Sequence, residues 1–202
     1  MQPAAFGVQM HSGWGVLVAV SLDPLELLAR RRIVTADPKI PGAIQPYHFA
    51  AQLEQAQQEN HLSHCAASSC SLAASAIGEV MSELTQRHYR ILGAAVLFAA
   101  GRPLPALEKI LSAHPLIHTA EGEFFRQTAA EAFHSLQIPV TSIRERELDE
   151  RAIAAFGNKA SRVQATISSL GASVGPPWTR DHKTAALAAA LILTASEEKV
   201  RR

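Results

Sequence analysis

The segment Ile91–Ala99 carries no polar side chain. Gly101, Pro103 and Pro105 follow it and break the chain. A short, continuous apolar run between breakers is the pattern of a parallel strand covered on both faces. Such a strand must lie inside a sheet with helices above and below it. The run therefore points to an α/β architecture before any other element is placed.

The remaining elements are read outward from it. Residues 5–10 and 14–21 are Val-rich and alternate weakly, and Ser12-Gly13 between them predicts a tight hairpin turn. Residues 25–36 read as a third strand containing Arg30, Arg31 and Arg32. Strand alternation sends Arg31 to the opposite face from the other two. Asp37-Pro38 and Pro41-Gly42 then break the chain. Tyr47–Asn60 is polar on most faces and predicts a helix. From Ser71 the signal sharpens into a helical stripe of Ile77, Val80, Met81 and Leu84. Arg87, His88 and Arg90 near its end suit the negative pole of the helix dipole. Beyond the central strand come a short helix from Ala106 and a helix capped by Thr119, with the stripe Phe125, Ala129, Ala132, Phe133 and Leu136. Pro139 opens a short strand, Val140–Ile143, and the charged residues 144–151 read as a solvated helix start. Helices at about 158–170 and 180–196 close the chain.

Three strands able to form a meander, followed by alternating helix and strand, predict a mixed sheet with helices on its faces. With 202 residues, one domain spanning 1–202 can bury a substantial core. Apolar residues at 48% and charged residues at 18% are ordinary for a soluble globular chain. The net charge of +1 argues against strong non-specific nucleic-acid binding unless Lys and Arg cluster locally. Cys65 and Cys70 do not make a disulfide framework, so a reduced, cytoplasmic protein is expected. No basic residue precedes Arg30, so the apolar start lacks the charged head of a signal peptide. Ala185–Ala195 falls short of the ~20 residues a bilayer span needs, so no membrane partner is expected.

Three stretches carry a more specific likeness. Gly7-Val-Gln9 runs into the glycine-rich turn Ser12-Gly-Trp-Gly-Val. Gly157-Asn-Lys-Ala-Ser-Arg162-Val-Gln164 places basic residues and Val-Gln at a helix start. Asp181-His-Lys-Thr-Ala-Ala-Leu-Ala-Ala-Ala190 runs from an acid into an Ala/Leu helix. With the element order, these make the chain resemble the RuvC-type Holliday junction resolvases of the ribonuclease-H-like superfamily. The resemblance implies a five-stranded mixed sheet, an antiparallel three-strand meander plus parallel strands, with helices on both faces. It also implies a homodimer, and branched or structured nucleic acid as a partner.

The family's two-metal chemistry does not carry over. Its first-strand aspartate falls on Gln9. Its fourth-strand glutamate falls near Phe98 or Ala99, and no acid lies between Glu83 and Glu108. The last helix's acidic positions fall on His182 and Ala185, with Asp181 alongside. Two hard divalent cations repel one another unless several carboxylates clamp them, and a neutral amide or an alkyl group does not. The resemblance thus implies a catalytically degenerate binding or scaffolding module needing no cofactor. The enzyme alternative is a Mg²⁺- or Mn²⁺-dependent nuclease with a rearranged site using Asp181, His182 and Glu121. A third alternative is a protein–protein module with no nucleic-acid role.

Other groupings each have a chemical and a structural reading. His61, His64, Cys65 and Cys70 are possible zinc ligands, or a polar stretch with two buried thiols. His11-Ser12 and Asp181-His182 would form a hydrolytic set or a single-metal site if they converged. The structural reading is a turn serine and a helix N-cap at Asp181. Glu121, Glu123 and Arg126 crowd a helix start, while Glu145, Glu147, Asp149 and Glu150 are expected to face water. Ser12–Gly15 could be a phosphate loop, although its metal would need an acid where Gln9 stands. Arg30, Arg32, Lys159 and Arg162 are the nucleic-acid candidates, with solvated surface charge as the alternative.

Overall fold

The computed structural model describes residues 1–99 and 103–201, with side chains to residue 196. Gly101 and Arg102 of the predicted break lie outside the described residues. Five strands form one sheet in the order β3-β2-β1-β4-β5. They are β1 (Gln2–His11), β2 (Trp14–Leu22), β3 (Leu25–Val34), β4 (Tyr89–Phe98) and β5 (Val140–Arg144). The first three form an antiparallel meander, and β1, β4 and β5 run parallel to one another. This is the mixed sheet that the element order predicts.

The helices depart from expectation in two places. The stretch predicted as one helix over Tyr47–Asn60 is two elements, α1 (Pro46–Ala50) and the start of α2 (Gln55–Gln86). α2 runs unbroken into the stripe that was clear in the sequence. Its buried face is Cys65, Ser69, Ala73, Ile77, Val80 and Leu84, and the first half of that stripe is written in small side chains. After α3 (Leu107–Leu111), α4 spans His114–Ser135 rather than starting at Thr119. Pro115 sits in its first turn, where a missing N–H costs nothing. The Thr119 hydroxyl donates back to the Pro115 carbonyl at 2.9 Å instead of capping.

Beyond β5, a 3₁₀ turn at Glu145–Glu147 leads into α5 (Leu148–Phe156). α6 (Ala160–Ser169), α7 (Gly171–Val174) and α8 (Arg180–Arg201) follow. Alternation along the strands divides the core between the two faces of the sheet. Ala4, Phe6 and Val8 of β1, with Ala94 and Val96 of β4, meet α2 and α4. Ala5 of β1, with Ala95 and Leu97 of β4, faces α8, with α5 and α6 outside it. Being covered on both sides, α8 is apolar around most of its circumference: Ala185, Ala186, Ala188, Ala189 and Ala190 are all fully buried. Among the described residues, no helix is long and apolar enough to cross a membrane.

The approach of α8 to β1 is backbone on backbone. A methyl group on Gly7 would fall inside the van der Waals shell of the Ala185 carbonyl oxygen, and neither main chain has a flexible end that could yield. Gly7→Ala is therefore expected to destabilise by about 2–3 kcal/mol, as overpacking does. For a chain of this size that lowers Tm by roughly 5–10 °C. A thermal melt within about 2 °C of wild type would show that the helix is free to move away.

Candidate functional site

Because β1, β4 and β5 are parallel, their carboxyl ends, His11, Phe98 and Arg144, lie along one edge of the sheet. The first turns of α8 pack against β1 at this edge. Ala5, Gly7, Gln9 and His11 share the α8 face of β1 by alternation. Gly7 lies against Ala185, and His11 Nε2 lies 3.0 Å from Asp181 Oδ2. Gln9 lies between these two positions along the strand, and of the two pairs His11-Ser12 and Asp181-His182 it is His11 and Asp181 that meet. The Gln9 side-chain carbonyl oxygen is buried and has no hydrogen-bond partner among the described residues. A buried acceptor without a donor is disfavoured. The position thus carries a polar oxygen, but no charge.

The fourth-strand position resolves in favour of one of its two candidates. Phe98 packs on the α2/α4 face, where its ring centroid lies 6.0 Å from the Arg126 guanidinium. Leu97 faces α8, and alternation puts Ala99 on that same side. The α8 face of the junction thus offers Gln9, Leu97, Ala99 and Ala185 around Asp181. Among the described residues, no three metal-ligating side chains converge here.

Among the polar residues of α8's first turn, Asp181 and His182 make separate contacts. Thr179 precedes the helix, and His182 Nδ1 accepts its backbone N–H at 3.2 Å and lies 2.8 Å from its hydroxyl. This is the return half of a capping box, with histidine in place of the usual Glu or Gln. His182, rather than Asp181, thus completes the cap, and it is buried. Accepting at Nδ1 places the ring proton of the neutral form on Nε2. Burial is the main cause that pushes the His182 pKa below its ordinary value of 6.5, assisted by the Arg30 charge and opposed by Asp181. Asp181 is left to pair with His11. Ser12 lies exposed in the turn and is bonded to neither, so no Ser–His–Asp relay forms.

The basic candidates divide. Arg30 donates to the carbonyls of Gly175 (2.9 Å) and Pro177, fastening the loop before α8. Arg31 points to the other face, as alternation predicts, and makes a bidentate pair with Glu83 at 3.0 and 2.8 Å. Arg32 lies 3.7 Å over the Trp14 ring, which itself stacks on His11 at 4.3 Å and 17°. Arg32, Trp14, His11 and Asp181 therefore form one ladder along the sheet edge. Lys159 and Arg162 are exposed at the start of α6 and make no ion pair among the described residues.

Beside the ladder, on the same edge, a groove of about 730 Å³ opens at the ends of β4 and β5. Arg126, Arg144 and Arg151 line it, with Glu123 and Glu147. Arg144 and Arg151 share Glu147, at 3.3 and 2.9 Å. The Arg151 hydrogen bond is the main cause holding that carboxyl below its usual range. Arg126 reaches Glu123 at 3.5 Å, and its Nε is buried without a hydrogen bond. Charged residues read in the sequence as a solvated helix start thus wall a positively charged groove.

Two further groupings are set apart by helix geometry. His61, His64, Cys65 and Cys70 all lie on α2, where 65 and 70 are about 140° apart around the axis. His61 and Cys65 meet at 3.5 Å, but the four do not gather, and burial pushes both thiols up. Glu121 is on α4, across the sheet from α8, so it cannot join Asp181. Its side chain, 3% exposed, faces His48 of α1, whose ring is close to those of His114 and His118. The sequence reading passed over this group. His114 and His118 have i, i+4 spacing, but a helix start at Thr119 left them outside the helix.

No protein-family model matches the chain, and no curated protein sequence matches it. Solved structures do. The chain is similar to T. thermophilus RuvC in complex with a Holliday junction substrate, with a TM-score of 0.54 at 12% identity over 98% of this chain and 96% of that one. It is also similar to the Thermus thermophilus RuvC structure, with a TM-score of 0.52 at 11% identity over 97% of this chain and 96% of that one. At such identity the likeness is one of fold, and the fold is ribonuclease-H-like of the RuvC type.

The His182 cap sets a pH dependence. A histidine whose folded pKa is depressed leaves stability complete above about 6.5, and stability falls as the pH drops below that value because the unfolded chain takes up the proton first. His182→Gln keeps an acceptor for the Thr179 N–H, so at pH 7.5 it should melt near wild type and lose less Tm between pH 6.5 and 5. His182→Ala should cost about 1 kcal/mol at pH 7.5. An equal acid-side loss in wild type and His182→Gln would refute this role.

Proposed function

We propose that this RuvC-like chain binds branched or structured nucleic acid without cleaving it, as a cytoplasmic homodimer. The observation that carries this reading is Gln9, placed under α8 beside Asp181 with its carbonyl oxygen buried and unpartnered. A pair of hard cations needs several carboxylates at that spot. The described junction offers Asp181, already engaged by His11, among amide and alkyl side chains.

Positive charge on the same edge supports binding. Arg126, Arg144 and Arg151 line the groove, and Arg32 on Trp14 offers a cation and a flat aromatic face. Both are suited to phosphate and base contact. Lys159 and Arg162 are further exposed cations, with no ion pair among the described residues. The similar RuvC structure is of a complex with a Holliday junction substrate, which makes a four-way junction the first ligand to try.

The test measures binding and cleavage together, on a four-way DNA junction, a hairpin and a single strand, in Mg²⁺ and in Mn²⁺. Junction binding that weakens with salt is expected, without strand scission. Lys159→Ala with Arg162→Ala should lower affinity about tenfold and reduce the log–log salt slope by about two. Scission lost in Asp181→Ala would overturn the binding-only reading in favour of a rearranged nuclease. Absence of salt-dependent binding to any of the three would favour a protein–protein module. Sedimentation should show a dimer.

A further inference from the structure

We infer that His48, His114 and His118 form a binding site for one divalent transition-metal ion of the zinc class, held in place by Glu121. One ring nitrogen from each histidine lies within 4.8 Å of the other two. His48 comes from α1, while His114 and His118 stand one turn apart at the start of α4. The rings meet edge to face, at 75°, 65° and 86° to one another, rather than stacking.

Distance points to a specific geometry. His48 Nε2 and His114 Nε2 are 3.4 Å apart. Two ligands of a tetrahedral ion with Zn–N of about 2.0–2.1 Å stand about 3.3–3.4 Å apart. The pair is already at the spacing an ion requires. His118 is exposed and brings a ring nitrogen within 4.8 Å of the other two.

Glu121 supplies an independent observation. Its carboxylate is 3% exposed and lies 2.9 Å from His48 Nδ1, along an oblique line. It also accepts the His48 backbone N–H at 3.1 Å. A buried carboxylate beside Nδ1 favours the tautomer with its proton there, leaving the Nε2 lone pair free toward His114. Metal-ligating histidines are commonly oriented this way by a carboxylate behind the ring. Three imidazoles suit zinc, cobalt, nickel or copper rather than the hard ions of a nuclease centre. His114 and His118 are exposed, so the fourth position faces solvent and would take water. The site joins α1 to α4 on the sheet face away from α8, and it stands whether or not the chain binds nucleic acid.

The experiment uses the untagged full chain, stripped of metal with a chelator and titrated with ZnCl₂ by calorimetry, and with CoCl₂ by visible absorption. One ion per chain is expected, with the d–d bands of tetrahedral cobalt. Tm should rise by roughly 5–10 °C at a hundredfold excess over Kd. His114→Ala with His118→Ala should abolish uptake, while His61→Ala with His64→Ala should leave it intact. Glu121→Gln should weaken binding about 10–100-fold while keeping the stoichiometry. No saturable zinc or cobalt uptake by the stripped wild type would overturn the proposal. Undiminished uptake by the exposed-pair variant, folded by circular dichroism, would overturn it too.

Discussion

The contact between Gly7 and Ala185 sets the position of everything at the sheet edge. With no side chain between the two backbones, α8 lies directly on β1, and its first turn reaches the end of that strand. His11 then meets Asp181, and Gln9 is covered between them. The alanines that follow keep the approach close along the helix, and α5 and α6 bury its outer side. A helix so enclosed has few places to satisfy its first N–H groups with water. The Thr179–His182 box answers that need, and Arg30 of β3 holds the preceding loop by its carbonyls. A strand far away in sequence thus fixes where α8 begins.

Within this frame the carboxyl ends of the parallel strands meet the start of α8 with little negative charge between them. Parallel strands bring the right positions together, and side-chain alternation aims them at α8. The occupants are an amide, alkyl groups and one carboxylate paired with a histidine. Fold and chemistry separate readily because packing depends on shape and burial, whereas metal binding depends on a few anionic oxygens.

Most strands were legible in the sequence because their signals are local. The breaker-bounded run of β4, the turn at Gly13 with its positive φ, and the alternation of Arg30, Arg31 and Arg32 all follow from neighbouring residues. The first half of α2 was not legible, because Cys65, Ser69 and Ala73 mark a buried stripe without hydrophobic bulk. Their smallness lets α4 come near, and the buried Ser69 hydroxyl finds Thr128 at 3.0 Å. At the candidate site, Gln9 and Asp181 were found through motif likeness, but His182's capping role depends on a side-chain rotamer. Glu121 and His48 meet across loops and a whole strand, and no spacing rule connects them.

The arginine groove supplies what the proposed binding reading requires, a positively charged surface at this end of the sheet. A metal-dependent nuclease neutralises phosphate with its ions, which in turn need carboxylates that repel the substrate when the ions are absent. At this edge the carboxylates are few, and those in the groove, Glu123 and Glu147, are each engaged by arginine. Guanidinium groups supply the positive charge directly and stay charged at any physiological pH. They bind phosphate bidentately but cannot generate a hydroxide nucleophile. On the proposed reading, an edge built this way would hold a polyanion through guanidinium groups, with an affinity that depends on salt rather than on divalent ions.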